Sequence, residues 1–161
     1  LEKLNPMPAP ARDPSLLGKW RLRWSQQQES SNFFQKLFAG VASDNFQILN
    51  KDDTLENLVL LGPLTVSATA PTQAVSDSRT EVRISTVDVS VGGTRVWRKT
   101  LEPKPGRGAG WVEQLYLDDE IRISRGNKGS LFVHSREFEG TREESGNTGG
   151  GEENVTALAK R

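Results

Sequence analysis

The clearest periodic stretch in the chain is GKWRLRWS, in which apolar and basic residues alternate strictly. Basic residues interleaved with aromatic ones could form a nucleic-acid surface, where bases stack on rings and cations meet phosphates. They could equally form one strand of a sheet that turns its tryptophans into a core and its cations to water. The apolar members are Trp20, Leu22 and Trp24, and the basic members are Lys19, Arg21 and Arg23.

Similar short runs, separated by turn signals, continue from Leu17 onward and predict an antiparallel all-β domain. The surest hairpin is VSVGGTRVW, because Gly92 and Gly93 tolerate the positive φ that two-residue turns require. Between Ile84 and Val87 the apolar phase slips by one residue, which predicts a β-bulge. We expect strands near 17–25, 44–50, 55–61, 64–70, 80–91, 94–101, 111–117, 120–125 and 130–135.

One helical signal interrupts these strands. Apolar residues at helical spacing follow Ser30 or Ser31, either of which could be the N-cap, and Gly40 would end the helix. This short helix after the first strand would either cover one end of a barrel as a lid or simply plug the core. Its apolar residues are Phe33, Phe34, Leu37 and Phe38.

The two ends of the chain differ in composition from its middle. Residues 1–16 are rich in proline, which favours an extended lead-in. Residues 136–161 are polar and rich in Gly and Glu, which predicts a flexible tail. Residues 17–135 then form a single domain of ordinary size.

Charge and composition narrow the possible functions. The 161 residues carry 21 basic and 21 acidic side chains, so no global field draws the protein to nucleic acid, and we expect no nucleic-acid partner. The chain has no cysteine and a single histidine, His134, which we interpret as an ordinary strand residue. A Cys/His pair is therefore impossible, and we expect no metal site, no cofactor and no catalytic residue. The acidic run Asp118–Glu120 lies between two predicted strands and is interpreted as a solvated turn.

Two stretches resemble a known family. LNPMPAP followed by SLLGKWRLRWS, and WVEQLYLDDEIRISRGNKGSLFV over residues 111–133, resemble the plastid lipid-associated proteins, also called plastid fibrillins or plastoglobulins. The family pattern is a Tyr-Leu, an acidic turn, Leu/Ile-Arg-Ile-x-Arg-Gly, a glycine turn and Leu-Phe-Val, and the resemblance covers residues 1–135. The residues that carry this signature are Gly18, Trp20, Asp118, Asp119, Arg122, Arg125, Gly126, Gly129 and Phe132.

The resemblance implies a lipocalin-like antiparallel barrel of about eight strands. It also implies a plastid location at plastoglobules or thylakoids, with the targeting segment and a leading helical segment removed from this chain. Gly-x-Trp at the start of the first strand is the pattern that opens lipocalin barrels, where a late arginine lies across the tryptophan ring. We expect Arg122, or failing that Arg125, to lie against Trp20. We also expect the first and last strands to pair and close the barrel.

In a barrel of this kind, the alternating stretch GKWRLRWS would be a strand and not a nucleic-acid surface. Its apolar residues would face the interior and its cations would face outward, where they are either solvated or in contact with anionic head groups. The predicted helix would lie over the mouth. The predicted interior lining is Trp20, Leu22, Trp24, Phe46, Ile48, Val82, Ile84, Tyr116, Ile121 and Ile123.

Three functional hypotheses follow. The first is a non-enzymatic protein that binds or organises apolar small molecules or membrane lipid, with carotenoids, prenylquinones and fatty acids as the ligands that the resemblance implies. The second is a structural or docking subunit of a plastid membrane or protein assembly, whose barrel is filled by its own side chains. The third is an enzyme of lipid metabolism, which would have to use Asp118, Asp119 and Tyr116.

Overall fold

A computed structural model describes residues 2–26, 44–102 and 109–138 of the chain. Within these ranges the chain forms ten strands, and every pair of neighbouring strands is antiparallel. The strands are β1 (Gly18–Gln26), β2 (Asp44–Leu49), β3 (Thr54–Leu61), β4 (Leu64–Ala74), β5 (Arg79–Arg83), β6 (Thr86–Val91), β7 (Thr94–Thr100), β8 (Ala109–Leu117), β9 (Ile121–Gly126) and β10 (Leu131–Glu137).

Eight of these strands close a barrel. The strands run in the order β3-β2-β1-β10-β9-β8-β5-β4, and β4 pairs with β3 to complete the ring. The pairing of β1 with β10 confirms the prediction that the first and last strands close the sheet. The predicted fold class, an antiparallel barrel of about eight strands, is therefore confirmed, while the predicted helix after β1 lies outside the described residues.

The hairpin β6–β7 is a branch on this barrel. The outer edge of β4 is shared, because its residues 64–69 pair with β6 and its residues 72–74 pair with β5. The predicted two-residue turn is confirmed, since Gly92 and Gly93 have φ of 56° and 83°. The predicted bulge between Ile84 and Val87 is wrong: the phase slip marks the point where one strand ends and the next begins.

The lead-in closes one end of the barrel. Residues Glu2–Leu4 and Pro14–Leu16 form short 3-10 turns, and Asp13 caps the second turn by accepting a hydrogen bond from the Ser15 N–H at 2.9 Å. Met7, Leu16 and Leu17 pack on the apolar end of the interior. The core there consists of Leu16, Trp20, Leu49, Leu55 and Leu117. We call this end of the barrel the floor.

The barrel extends past residue 135, where we expect the domain to end. The last strand, β10, continues to Glu137, two residues beyond the predicted end of the domain at 135. Most of the predicted tail, residues 139–161, lies outside the described part of the chain. Arg136 therefore belongs to a barrel strand, which matters for the site described next.

Candidate functional site

Trp20 seals the floor of the barrel beneath two arginines. The indole is completely buried, and its Nε1–H donates a hydrogen bond to the Leu16 carbonyl at 2.9 Å. The guanidinium carbon of Arg122 lies 5.4 Å from the ring centroid, within cation–π range, as the Gly-x-Trp pattern predicted. The guanidinium carbon of Arg136 lies closer, at 4.2 Å. The alternative candidate, Arg125, instead lies near Glu113 on the outer face.

Arg136 is a structural clamp on the lead-in. Its guanidinium donates to the carbonyls of Asp119 at 2.6 Å and Leu17 at 2.9 Å, and also to the carbonyl of Ser15. Gly18 makes this approach possible, because it has φ of +120° and a Cβ there would lie 3.0 Å from an Arg136 nitrogen. These contacts explain why the signature glycine stands two residues before the tryptophan.

The interior above this floor is lined by two rows of directly paired residues. Strand register places the members of each row side by side across β1, β10, β9 and β8. All members of the lower row are buried, and the upper row includes two buried polar side chains. The lower row is Leu22, His134, Arg122 and Leu117; the upper row is Ser25, Phe132, Ser124 and Gln114.

Arg122 is a buried cation, and it has no acidic partner among the residues that the structure describes. Only 1% of it is exposed, and its side chain crosses above Trp20 to donate a hydrogen bond to the Gln47 amide oxygen on β2. No ion pair within the described residues includes it. Burial, together with the nearby charge of Arg136, lowers the pKa of Arg122 to about 9.

His134 lies beside Arg122 and is held neutral. Burial and the positive charge of Arg122 lower the pKa of His134 well below its ordinary value. The ring also lies 6.3 Å from the Phe132 ring, measured between centroids. This histidine is a strand residue, as expected, but it points into the barrel beside the charged group.

Within residues 2–26, 44–102 and 109–138, several buried polar atoms that face the barrel interior have no hydrogen-bond partner. They include Nε of Arg122, Nδ1 of His134, Oε1 of Gln114 and Oγ1 of Thr80. An unpaired polar atom in a protein interior costs about 1–3 kcal/mol, and native proteins contain few of them. Their concentration in the interior rows indicates a place that can bind a polar group.

Only part of the predicted lining faces the interior. Trp20 and Leu22 do so and are buried, and half-buried Val82 packs on the floor cluster. Ile84 packs instead on the cluster that joins β4 to β6. The remaining six predicted residues, placed on the outer face by strand register, are Trp24, Phe46, Ile48, Tyr116, Ile121 and Ile123.

Bulges move Trp24 and Tyr116 to the outer face. In β1 the register shifts between Leu22 and Trp24, so the alternation changes phase and Trp24 is 48% exposed. A second shift between Gln114 and Tyr116 does the same in β8. Both bulges fall inside stretches whose sequence pattern continues without a break.

The other four residues, which we expect in the interior, lie on the outer face of their strands; they are Phe46, Ile48, Ile121 and Ile123. On β9 the arginine and serine face inward, so Ile123 faces outward and Ile121 is 41% exposed. On β2, Phe46 pairs with Arg21 and Ile48 pairs with Lys19, so both share the outer face of these cations. The Lys19 ammonium lies 4.2 Å from the Phe46 ring centroid, which accounts for the position of that cation.

The outer face carries an apolar row across four strands. Trp24 pairs with Val133, Val133 with Ile123, and Ile123 with Tyr116. Ile121 continues this surface along β9. We call these five residues the outer apolar row. The sequence contained them, but only the bulges bring them together.

The acidic turn has the geometry of a structural turn. Oδ1 of Asp118 accepts hydrogen bonds from the backbone N–H groups of Glu120 and Ile121 at 2.8 and 2.7 Å, and Oδ2 accepts one from the Tyr116 hydroxyl at 2.8 Å. Burial acts to raise the pKa of Asp118, but these hydrogen bonds and the Arg136 charge together lower it. The carboxylate is therefore fully engaged in holding the β8–β9 connection.

Two features are absent from the described residues. Within residues 2–26, 44–102 and 109–138, no three His, Cys, Asp or Glu side chains are grouped so that they could hold a metal ion. In the same ranges, no helix has the length and hydrophobicity needed to cross a bilayer.

Sequence reasoning missed Arg136, Gln47, Gln114 and the position of His134. The predicted tail begins at Arg136 because the polar segment begins there. Gln47 and Gln114 are polar residues within apolar strands, and no motif marks them as part of a site. The available signal was the arginine in IRIS: once Arg122 is placed over Trp20, strand alternation puts Ser124 inward and both isoleucines outward.

The fold and floor define a lipocalin-like barrel with a buried tryptophan and arginine at its closed end. Comparison with family models adds the particular family, because residues 1–135 match the PAP_fibrillin family. The chain belongs to this family, as the signature in residues 111–133 predicted.

Curated relatives agree with this assignment. The chain is 28% identical over 130 residues to probable plastid-lipid-associated protein 11, chloroplastic, of Arabidopsis thaliana, in a match that covers 77% of this chain and 58% of the relative. It is 30% identical to probable plastid-lipid-associated protein 3, chloroplastic, of the same plant, with 85% and 49% covered. It is 31% identical to plastid lipid-associated protein 3, chloroplastic, of Brassica campestris, with 85% and 51% covered. The chain thus spans about half the length of these relatives.

A solved structure of an uncharacterized protein from Bacteroides eggerthii DSM 20697 is also similar. The match has a TM-score of 0.47 and 13% sequence identity, and it covers 75% of this chain and 98% of the other.

Proposed function

We propose that this chain acts in plastids as a non-enzymatic binder of lipid-soluble small molecules, which it holds inside the barrel. The observation that carries the proposal is the layered interior: an apolar floor sealed by Trp20, with buried polar side chains above it that lack partners. Family membership and the chloroplastic relatives support the lipid class and the plastid location.

The interior favours some of the expected ligands over others. A hydrocarbon carotenoid would leave Arg122, His134 and Gln114 unpaired and would therefore bind at a cost. A prenylquinone or a fatty acid carries oxygen atoms at one end, which could accept hydrogen bonds from Arg122 and His134 while its chain is buried elsewhere. We therefore rank polar-ended lipids above hydrocarbons.

The acidic turn that contains Asp118 is the carboxylate cluster that the enzyme hypothesis would use, and its hydrogen bonds argue against catalysis there. Asp118 accepts three hydrogen bonds from its own turn, and the Tyr116 hydroxyl is one of the donors. A general base needs a free lone pair within reach of its substrate. Asp118 and Tyr116 therefore act as structural elements of the turn.

The direct test is to identify what the protein carries. Purified protein is incubated with a total plastid lipid extract, repurified, extracted into organic solvent and analysed by mass spectrometry. We expect one or a few polar-ended lipids at close to one molecule per protein, with unchanged mass. No retained lipid, or a retained lipid that is chemically altered, would contradict the proposal.

Fluorescence locates the ligand. A variant in which Trp20 is the only tryptophan, obtained with Trp24→Phe, Trp97→Phe and Trp111→Phe, reports on the floor of the barrel. The matched control carries only Trp24→Phe and Trp111→Phe, so it keeps Trp20 and also Trp97, which lies on the hairpin outside the barrel and is 46% exposed. A decyl-plastoquinone titration should quench the Trp20 protein saturably, and in the control the part of the emission that Trp97 adds should not change.

The docking-subunit hypothesis is favoured by one separate observation, the outer apolar row. Trp24 and Ile121 are both exposed on this surface, although their side chains are large and apolar. Exposed contiguous apolar surface commonly marks an interaction site. Changing Trp24 and Ile121 to serine should then weaken co-sedimentation with plastid membranes, whereas Val96→Ser, an exposed apolar residue on the hairpin, should not.

A further inference from the structure

Two cations lie against one buried indole, and within the described part of the chain only Arg136 has all of its guanidinium nitrogens matched to acceptors that offset its charge. Arg136 donates to three backbone carbonyls, which disperse its charge. Arg122 donates to the neutral Gln47 amide, and its Nε–H has no acceptor. A buried guanidinium normally has an acidic partner, because desolvation of the charge is otherwise uncompensated. The ion pairs of the described ranges leave this cation without one.

The residues that carry unpaired atoms occupy neighbouring positions in the interior rows. Arg122 and His134 are directly paired across β9 and β10, and both are almost fully buried. Gln114 pairs with Ser124 in the upper row, two residues along β9 from Arg122. Nε of Arg122, Nδ1 of His134 and Oε1 of Gln114 thus belong to neighbouring positions on one interior surface.

The two donors among these atoms, on Arg122 and His134, indicate the kind of ligand that they would bind. Nε–H of arginine is only a donor, so it requires an acceptor, and the uncompensated positive charge requires that acceptor to be negative. A neutral imidazole with its proton on Nδ1 supplies a second donor beside it. A quinone carbonyl would satisfy the donors but would leave the charge unbalanced. A carboxylate satisfies both requirements.

We propose that Arg122 and His134 form an internal binding site for the carboxylate of a long-chain acid. The carboxylate sits above the Trp20 floor, and its chain runs away from the floor toward the other end of the barrel. This inference rests on the proposed function, in that it assumes the barrel interior accepts a lipid, and it names the chemical class of that lipid.

The test compares ligands that differ only at the head. Oleic acid, oleyl alcohol and methyl oleate share one chain, and isothermal titration calorimetry at pH 8 gives the affinity of each for the full chain. We expect oleate to bind about tenfold tighter or more than the alcohol and the ester, since a charge-assisted hydrogen bond in a buried site increases affinity by about this factor. Equal affinities of the three would overturn the carboxylate site.

Variants assign the preference to the site. Arg122→Met should remove the preference for oleate. The matched control is Arg125→Met on the same strand, because Arg125 lies on the outer face near Glu113, and this variant should retain the preference. A preference that survives Arg122→Met would overturn the proposal. The wild-type comparison needs no variant, so it decides the proposal even if Arg122→Met does not fold.

Binding of decyl-plastoquinone distinguishes a failure of the carboxylate site from a failure of the proposed lipid-binding function. Saturable binding of the quinone together with weak, head-independent binding of the three oleyl compounds would overturn the carboxylate site and leave the lipid-binding function intact. Failure of all four compounds to bind would overturn both.

Discussion

Strands β1 and β9 have similar sequence patterns and opposite orientations. In β1 the apolar Trp20 and Leu22 face the interior and the cations Lys19 and Arg21 face outward. In β9 the arginine Arg122 faces inward and the isoleucines face outward. Both strands alternate cations with apolar residues, so the alternation establishes two faces and leaves open which one is buried.

What decides the orientation is the partner strand. Arg122 is paired with His134 and Leu117, both on the inner face, and its charge lies over the Trp20 ring. Turning β9 over would bring Ile121 and Ile123 inside, but would remove the cation from the indole. Burying this polar strand face places a charge inside the barrel, which is costly unless the charge is compensated.

The largest expected effect separates the two tryptophans of β1. Trp20→Ala should lower the free energy of unfolding by about 3–5 kcal/mol, because a fully buried indole and its hydrogen bond to Leu16 are lost. Trp24→Ala should cost less than about 1 kcal/mol, because the bulge exposes this side chain. Urea unfolding of both variants measures the difference. Similar losses would show that Trp24 is also a core residue.

The next largest effect separates the two arginines on the indole. Arg136→Met should lose about 2–3 kcal/mol, since three hydrogen bonds to the lead-in and to the β8–β9 turn disappear. Arg122→Met should change stability by less than about 1.5 kcal/mol, because the lost contacts with Trp20 and Gln47 are offset by removal of an unpaired buried charge.

Urea unfolding checks this pair as well. Two equally destabilised variants would mean that Arg122 is a structural residue like Arg136. The contrast between β1 and β9 would then need no ligand to explain it.

The smallest effect concerns pH. The unfolded chain protonates His134 below its ordinary pKa of 6.5, whereas burial beside Arg122 keeps the folded imidazole neutral. The unfolded state therefore binds more protons below pH 6.5, and the free energy of unfolding should fall by about 1.4 kcal/mol per pH unit as the pH decreases from there.

His134→Gln is the control, because it leaves a polar side chain that does not titrate. Unfolding free energies measured between pH 7.5 and about 5.5, above the range in which ordinary carboxyl groups titrate, should slope less in the variant than in the wild type. Identical slopes would contradict the buried, neutral state of His134.

The sequence was sufficient for the architecture of the barrel and for the contact between Trp20 and Arg122 at its floor. Turn residues such as Gly92 and Gly93 determine the backbone conformation at their own positions. The Gly-x-Trp and IRIS motifs contain the two residues, Trp20 and Arg122, that contact each other. The interior lining could not be predicted in the same way. The bulges at Trp24 and Tyr116 arise from pairing between strands distant in sequence, and the direction of Phe46 depends on the register with β1.

Arg136 shows a different limit. Composition marks the beginning of a polar tail at this residue, but its guanidinium is needed at the floor of the barrel. A charged residue that stabilises the lead-in through backbone carbonyls has no compositional signature that distinguishes it from a solvated one.

The central claim, that β9 turns a cation into the barrel to bind an acid, is tested most directly by ¹³C NMR of carboxyl-labelled oleate bound to the protein. The account predicts one resonance from the bound carboxyl group. Its titration should give a pKa well below that of the acid free in solution, because protonation would end the interaction of the carboxylate with Arg122. The lowered pKa should persist in Arg125→Met and be lost in Arg122→Met. A bound carboxyl group that titrates like the free acid in the wild-type protein would contradict the claim.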